Sequence, residues 1–563
     1  MSLLLKNGFV YDPLNGVEGE VMDIAVDHGK IVETPLSQVQ KILDVTGMLV
    51  MPGGVDIHAH IAGSEVNAGR LLRPEDHFKD VEVRGKRTRS GVGYSVPSTF
   101  TTGYRYSKMG YTTVMVPSMP PLEARHTHEE MDDTPMIDKA AYPLLGDWWF
   151  ALEYLQDGLL DECAAHIAWM MRATKGYAIK IVNPGGLESW GFGKNVHSID
   201  DPVPNFDITP RQILRGLCQV NTILNLPHTI HVHTNNLGRP GNYYTALKTM
   251  DCVQDLAKGK QPIIHVTHCQ FSAFKGSDWS NMHSGAEGIA RYLNRHTHVT
   301  IDVGQVCFTN TTTMTADGPF QYGLYQLSGN KWVNHDVETE TSSGIVPFRY
   351  KRKSYVHATQ WTIGLELALL INSPWKVFLT TDHPNAAPFI TYPQIISWLM
   401  SRRARAKLLN KINRKARKRS ALASLDREYD FHEVAIMTRA GTARALGLTE
   451  KGHLGEGADA DIAVYNVNPE TINPSTEYAT IQRAFERTAY TIKVGEIVSR
   501  NGEIVKPVQG STYWADVQTR EPQEAASDLK QRFGKYWTIQ YANYSIPERY
   551  LHHSKPIAIK AEV

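Results

Sequence analysis

Three pairs of closely spaced histidines, one lysine and one aspartate give this chain the donors of a metal site. The first pair ends the stretch Met51-Pro-Gly-Gly-Val-Asp-Ile-His-Ala-His60. A short apolar run and a Gly-Gly turn lead there into a strand-like Val55-Asp56-Ile57. On a strand, residues i and i+2 point to the same side, so His58 and His60 can reach one ion together. His231 and His233 repeat the spacing in Ile-His-Val-His-Thr-Asn, and His265 and His268 follow in Ile-His-Val-Thr-His-Cys-Gln. Asp382 ends the apolar run Lys376 to Thr381. Lys180 lies inside Ala178-Ile-Lys-Ile-Val182, and a buried ammonium there is costly. Such a lysine is neutral, paired or chemically modified. A neutral amine takes up carbon dioxide to form a carbamate, whose two oxygens can bridge two metals. Nitrogen and oxygen donors without thiolate suit zinc or another divalent ion. Metals held this way lower the pKa of water and polarise a carbonyl, which is the chemistry of amide hydrolysis.

Each of these residues ends or lies in a run of strand length, and the runs alternate with amphipathic stretches such as Arg211 to Leu226 and Gly285 to Asn294. From residue 51 to 450 the texture is βα repeated, which predicts an α/β fold, a (β/α)8 TIM barrel with insertions. Ligands at the C-terminal ends of its strands would share one mouth. Residues 61 to 110 hold no obvious βα unit and read as a long excursion over that mouth. Residues 1–50 and 451–510 both read as short strands with turn signals, so one small β domain built from both termini is expected. Residues 511–563 form an extension, with Phe533, Tyr536, Trp537, Tyr541, Tyr544 and Tyr550 suited to an arm on a neighbouring surface.

Composition narrows the possibilities. The 59 basic and 58 acidic residues leave a net charge of +1, which points to neither a nucleic-acid nor a membrane partner. No apolar run approaches the roughly 20 residues of a membrane span, and the N-terminus lacks a signal-peptide core, so a cytoplasmic protein is expected. The five cysteines fall in no CxxC spacing, and neither a Walker loop nor a GxGxxG fingerprint is evident. Residues 402 to 419 carry ten basic residues and no acid. They read as a solvated basic helix or as a docking strip for an acidic partner or substrate. A further pair, His126 and His128, follows polar residues and reads as a loop pair.

The order HxH, Lys, His, His, Asp resembles the ligand pattern of the amidohydrolase superfamily, in its dihydroorotase and hydantoinase branch. Lys6-Asn-Gly-Phe-Val-Tyr-Asp-Pro-Leu-Asn-Gly16, Arg125-His-Thr-His-Glu-Glu130, Asn183-Pro-Gly-Gly, Thr313-Met-Thr-Ala-Asp-Gly-Pro319 and Thr381-Asp-His-Pro-Asn-Ala386 are similar to the formylmethanofuran dehydrogenase A subunits. The similarity extends to the related component of a methylotroph formyltransferase/hydrolase complex. The resemblance implies His58, His60, carboxylated Lys180, His233, His268 and Asp382 as ligands of two divalent metals, most simply zinc, with Asp382 also catalytic. His231 competes with His233, because a small shift at the strand end exchanges them. It implies N-formylmethanofuran, methanofuran and formate as substrates, and the other subunits of such a complex as partners. A cyclic amidase and a non-catalytic scaffold are the alternatives.

Overall fold

The computed structural model describes residues 2–34, 38–259, 261–337, 340–519 and 522–561. At its centre stand eight short parallel strands: β1 (Gly54–Asp56), β2 (Tyr111–Met119), β3 (Asp138–Pro143), β4 (Lys180–Val182), β5 (Ile230–His233), β6 (Ile264–Val266), β7 (Val299–Asp302) and β8 (Val377–Phe378). β1 to β3 pair in sequence, and so do β4 to β8. Single parallel bridges, Leu144–Lys180 and Ala59–His383, close the two seams, so the strands make the expected barrel ring. Helices pack outside it. One spans Pro210–Ile223, where Thr209 and Gln212 form a capping box ahead of proline at the first turn. Another, Ala286–Arg295, buries Ala286, Ile289, Ala290 and Leu293, one face of a 3.6-residue repeat.

Strands between Leu3 and Pro52 and strands between Ile462 and Ile504 share one nine-stranded sheet, in which Leu49–Pro52 pairs antiparallel with Ile462–Tyr465. Asp138 of β3, Asp461 and Asp459 meet Lys451 and Lys493 where this sheet abuts the barrel. Lys493 Nζ lies 2.5 Å from Asp138 and 2.8 Å from Asp461, and Lys451 reaches all three carboxylates within 2.8 Å. All five residues are buried. The two ammonium groups hold Asp138 well below the ordinary carboxylate range despite its burial.

Two sequence expectations need correction. The span 61 to 110 does contain a barrel helix, Thr99–Lys108, leading into β2. Its run of threonines, aromatics and a glycine has poor helix propensity, and packing decides its state. At Gly103 any side chain would collide with the Pro135 carbonyl. The rest of the excursion, including the helix Ser64–Leu72, packs on a three-stranded antiparallel sheet (Asn310–Thr315, Val333–Val337, Glu340–Arg349) through Val66, Val96, Met314 and Ile345. The C-terminal aromatics are spent inside this chain and do not form a free arm. Phe533 lies 4.7 Å from Phe150, Tyr541 stacks on Trp169 at 4.0 Å, and Trp537 meets Trp149 edge-on. Tyr544 is buried and Tyr550 lies under Arg125; the Tyr536 side chain is outside the described set. Strands Thr512–Gln518 and Ser554–Lys560 pair with each other, and the first touches β3. Among the described residues no helix is long and apolar enough to cross a membrane.

Removing one member of the buried ion cluster leaves its partners charged in a dry junction. Asp138→Asn should therefore destabilise the full chain by about 3–5 kcal/mol. Urea unfolding checks this, and an unchanged midpoint would show that the cluster contributes little.

Candidate metal centre

His58, His60, Lys180, His233, His268 and Asp382 line one cavity at the C-terminal mouth of the barrel. They come from five of the strands or the turns that follow them, the region where side chains of a barrel can converge. His58 and His60 follow β1, Lys180 opens β4, His233 closes β5, and His268 and Asp382 lie just beyond β6 and β8. His268 and Asp382 adopt left-handed backbone, with φ of 34° and 46°. Only a few residue types do so at modest cost, and His and Asp are among them. Gly304 makes room for the turn at His268, because a Cβ there would come within 2.7 Å of the His268 Cα.

Three atoms of metal-ligand type meet on one spot. Asp382 Oδ1 lies 2.9 Å from His58 Nε2 and 3.3 Å from His60 Nε2. Asn385 donates its side-chain amide to the same oxygen at 2.9 Å. Ligand atoms of His58, His268 and Asp382 all lie within 4.8 Å of one another, a grouping that can hold a metal ion. Among the described residues, His268 Nδ1 is buried with no hydrogen-bond partner, and so is Lys180 Nζ. Burial brings the Lys180 amine down from 10.5 to about 7. Burial likewise holds His58 and His268 well below the ordinary imidazole range, with Lys180 a further cause for both. The Asp382 carboxyl is pushed up by burial. An unpartnered amine beside converging lone pairs fits a cation site and a modified lysine.

The choice between His231 and His233 is one of depth. Both point inward from β5, but only His233 lines the cavity; its Nε2 lies 3.0 Å from Asp317 Oδ2. His231 sits a layer lower and contacts His58 Nδ1 through its Nε2 at 2.8 Å. His265 is also below the cavity, with Nε2 3.0 Å from Asp302 and Nδ1 2.9 Å from Thr300. His126 and His128 lie in a helix, Ala124–Asp132, not a loop. There i and i+2 point apart, so they cannot act as a pair. His128 is buried against the Thr174 carbonyl. The basic run forms two short helices, Arg402–Leu409 and Arg414–Arg419, and its Arg405 is buried, donating to four backbone carbonyls.

Several residues around the site, from loops and strand ends, escaped sequence reasoning. Asp317 caps the helix Gly318–Ser328, accepts from the Phe320 amide, and orients His233. Its place before Gly-Pro was the available signal. Asp302 accepts the His268 backbone N–H and the Thr380 hydroxyl. Asp56 accepts the Tyr106 and Tyr392 hydroxyls at 2.8 and 2.6 Å and the His58 N–H at 3.1 Å. Thr313, Thr315, Phe320 and Tyr350 complete the wall.

A barrel with these ligand-type residues at its mouth defines a metal-dependent hydrolase, and residues 41–499 match the Amidohydrolase family, to which the chain belongs. It is 52% identical to Protein FwdA of Methanocaldococcus jannaschii over 570 residues, covering 100% of this chain and 99% of the relative. It is 35% identical to the FhcA component of the formyltransferase/hydrolase complex Fhc of Methylorubrum extorquens, covering 94% of each. A crystal structure of that organism's FhcABCD complex with methylofuran contains a chain that superposes with a TM-score of 0.91 at 31% identity, over 100% of both chains. The likeness to formylmethanofuran dehydrogenase A subunits and their formyltransferase/hydrolase counterpart is thereby established.

A lysine depressed from 10.5 to about 7 stores roughly 5 kcal/mol of unfavourable burial. The sign is that of a lowered cation: the cost is full below pH 7 and fades as pH rises toward 10.5. Metal-free Lys180→Met should accordingly resist urea better than the metal-free parent at pH 6, by up to a few kcal/mol, and the gain should shrink by pH 10. Equal stability at pH 6 would mean that the amine already has a partner.

Proposed function

We propose that the chain hydrolyses N-formylmethanofuran to formate and methanofuran, and catalyses the reverse condensation, as one subunit of a multi-subunit C1 complex. The observation carrying this reading is the set of six ligand-type residues around one cavity, with the Lys180 amine buried and unpartnered among them. The full-length similarity to FhcA, whose complex was solved with methylofuran, supports the substrate class and the partners.

His58, His60, carboxylated Lys180, His233, His268 and Asp382 would hold two divalent ions, most simply zinc. Bound there, the ions supply Lewis-acid activation of water and of the formamide carbonyl. The chain's own residues do the rest. Asn385 donates to Asp382 Oδ1, which leaves Oδ2 to take the proton of the attacking water. That proton then passes to the departing amine nitrogen, and formate leaves with the new C–O bond. Asp317 and Asn183 anchor the His233 side of the site, and Phe320 and Tyr350 exclude bulk water from it.

The full chain should release formate from N-formylmethanofuran with no electron acceptor present. Asp382→Asn should slow release by about 10²–10⁴-fold, with metal content measured in the same sample. A strict requirement for a redox dye would overturn the assignment.

The carbamate makes its own prediction. Reloading metal-free chain with Zn²⁺ should require dissolved carbon dioxide, and at fixed carbon dioxide its rate should rise with pH toward about 7 and level off above it, as the amine loses its proton. Lys180→Ala should bind far less metal. Reloading indifferent to carbon dioxide would remove the carbamate.

A further inference from the structure

Below the cavity three histidines form a single hydrogen-bonded file. Asp382 Oδ1 meets His58 Nε2 at 2.9 Å, and His58 Nδ1 meets His231 Nε2 at 2.8 Å. His231 Nδ1 meets His228 Nε2 at 3.1 Å, and His228 Nδ1 ends on the Ala445 backbone carbonyl at 2.6 Å. All three rings are buried. His228 lies just before β5, and Ala445 closes the helix Gly441–Ala445. Every ring uses both nitrogens, and His265 stands outside the file on Asp302 and Thr300.

The last partner sets the direction. A carbonyl oxygen has no proton to give, so His228 Nδ1 must donate to it. A neutral imidazole carries one N–H, so His228 Nε2 accepts and His231 Nδ1 donates. The same step upward makes His231 Nε2 an acceptor and His58 Nδ1 a donor. The Thr267 hydroxyl also touches His58 Nδ1 and can accept from it. In a neutral His58, Nε2 is then the bare nitrogen, facing Asp382 and His60, where a cation would stand in place of a proton. Neutrality follows from the surroundings. Among the described residues no carboxylate hydrogen-bonds to His228 or His231, and a buried cation without such a partner is strongly disfavoured.

We propose that His231 and His228 are positioning residues that fix the tautomer of His58, with the Ala445 carbonyl as reference, so that the Nε2 lone pair is presented to a divalent cation. This rests on the reading of His58 as a ligand given above. Outer partners of ligating histidines commonly govern which nitrogen is free and how the ring is aimed. Here the control runs through two more rings to a backbone atom.

Two measurements test it on the full chain. Nitrogen-15 NMR of histidine-labelled, metal-free protein, assigned by difference against His228→Gln and His231→Gln, should find all three rings as Nδ1–H tautomers. An Nε2–H tautomer at His58 or His231, or an imidazolium at His228, overturns the proposal. Zn²⁺ affinity, measured by chelator competition, should stay within a few-fold of the parent in His228→Gln, which keeps an acceptor for His231. It should fall by about 10–100-fold in His228→Leu, which does not. Equal affinities in the two variants overturn the proposal, because a merely space-filling His228 would tolerate leucine at least as well. Should the leucine variant not fold, the tautomers of the wild-type chain decide. A parent chain that binds no Zn²⁺ while showing the Nδ1–H file would sink the metal reading and leave the file standing.

Discussion

Polar side chains inside a closed barrel have few partners to bond. Most strand backbone groups pair around the ring, so a side chain there must find another side chain or one of the main-chain groups freed at a strand end, as Asp56 and Asp302 do at His58 and His268. That constraint governs the mouth of this protein. His58, His60 and Asp382 turn ligand-type atoms toward one spot, and among the described residues the Lys180 amine has no hydrogen-bond partner. Such a cluster is unfavourable as it stands and becomes favourable when a cation and a carbamate are supplied. Burial, which elsewhere stabilises the fold, here stores the tendency to bind.

Much of this was legible in the sequence because strands have a period of two. HxH at a strand end forces two imidazoles onto one side, and the chain order of donors then matched a known ligand pattern. The choice between His231 and His233 was not legible, for a related reason. Both share the inward face of β5 and differ only in height along it, a quantity set by strand register against Lys180 and Val182. The pair His126 and His128 shows the converse: the same spacing on a helix separates the rings. Asp302, Asp317 and Asn385 reach the site from loops or lie beneath it, where no periodicity announces them. The aromatic tail misled because composition tells that rings will be buried but not against whose surface. Trp149, Phe150 and Trp169 were in the same chain.

The barrel tolerates a strained mouth because its base is over-determined. Lys451 and Lys493 bind three carboxylates drawn from β3 and from the C-terminal part of the terminal sheet. The Ser511 amide adds the C-terminal extension to the same Asp138 carboxylate. Segments distant in sequence thus close on one dry junction, where losing any member leaves charge unpaired. Left-handed turns at His268 and Asp382 cost a kilocalorie or so each, on the order expected for such backbone, and a rigid base can sustain them.

Support of the first ligand comes from two directions, and they divide the work. Asp56 grips β1 sideways: it takes the hydroxyl of Tyr106 from the helix before β2 and that of Tyr392 from the helix after β8, while accepting the His58 N–H. It thereby sets where the His58 backbone lies, relative to helices on either side of the barrel seam. The imidazole file beneath sets which nitrogen of the ring is bare, through partners that never reach the cavity. Position without tautomer would aim an N–H at the cation, and tautomer without position would aim a lone pair elsewhere. A histidine that must ligate from a strand end needs both, and only a barrel interior offers polar partners at the side and below together.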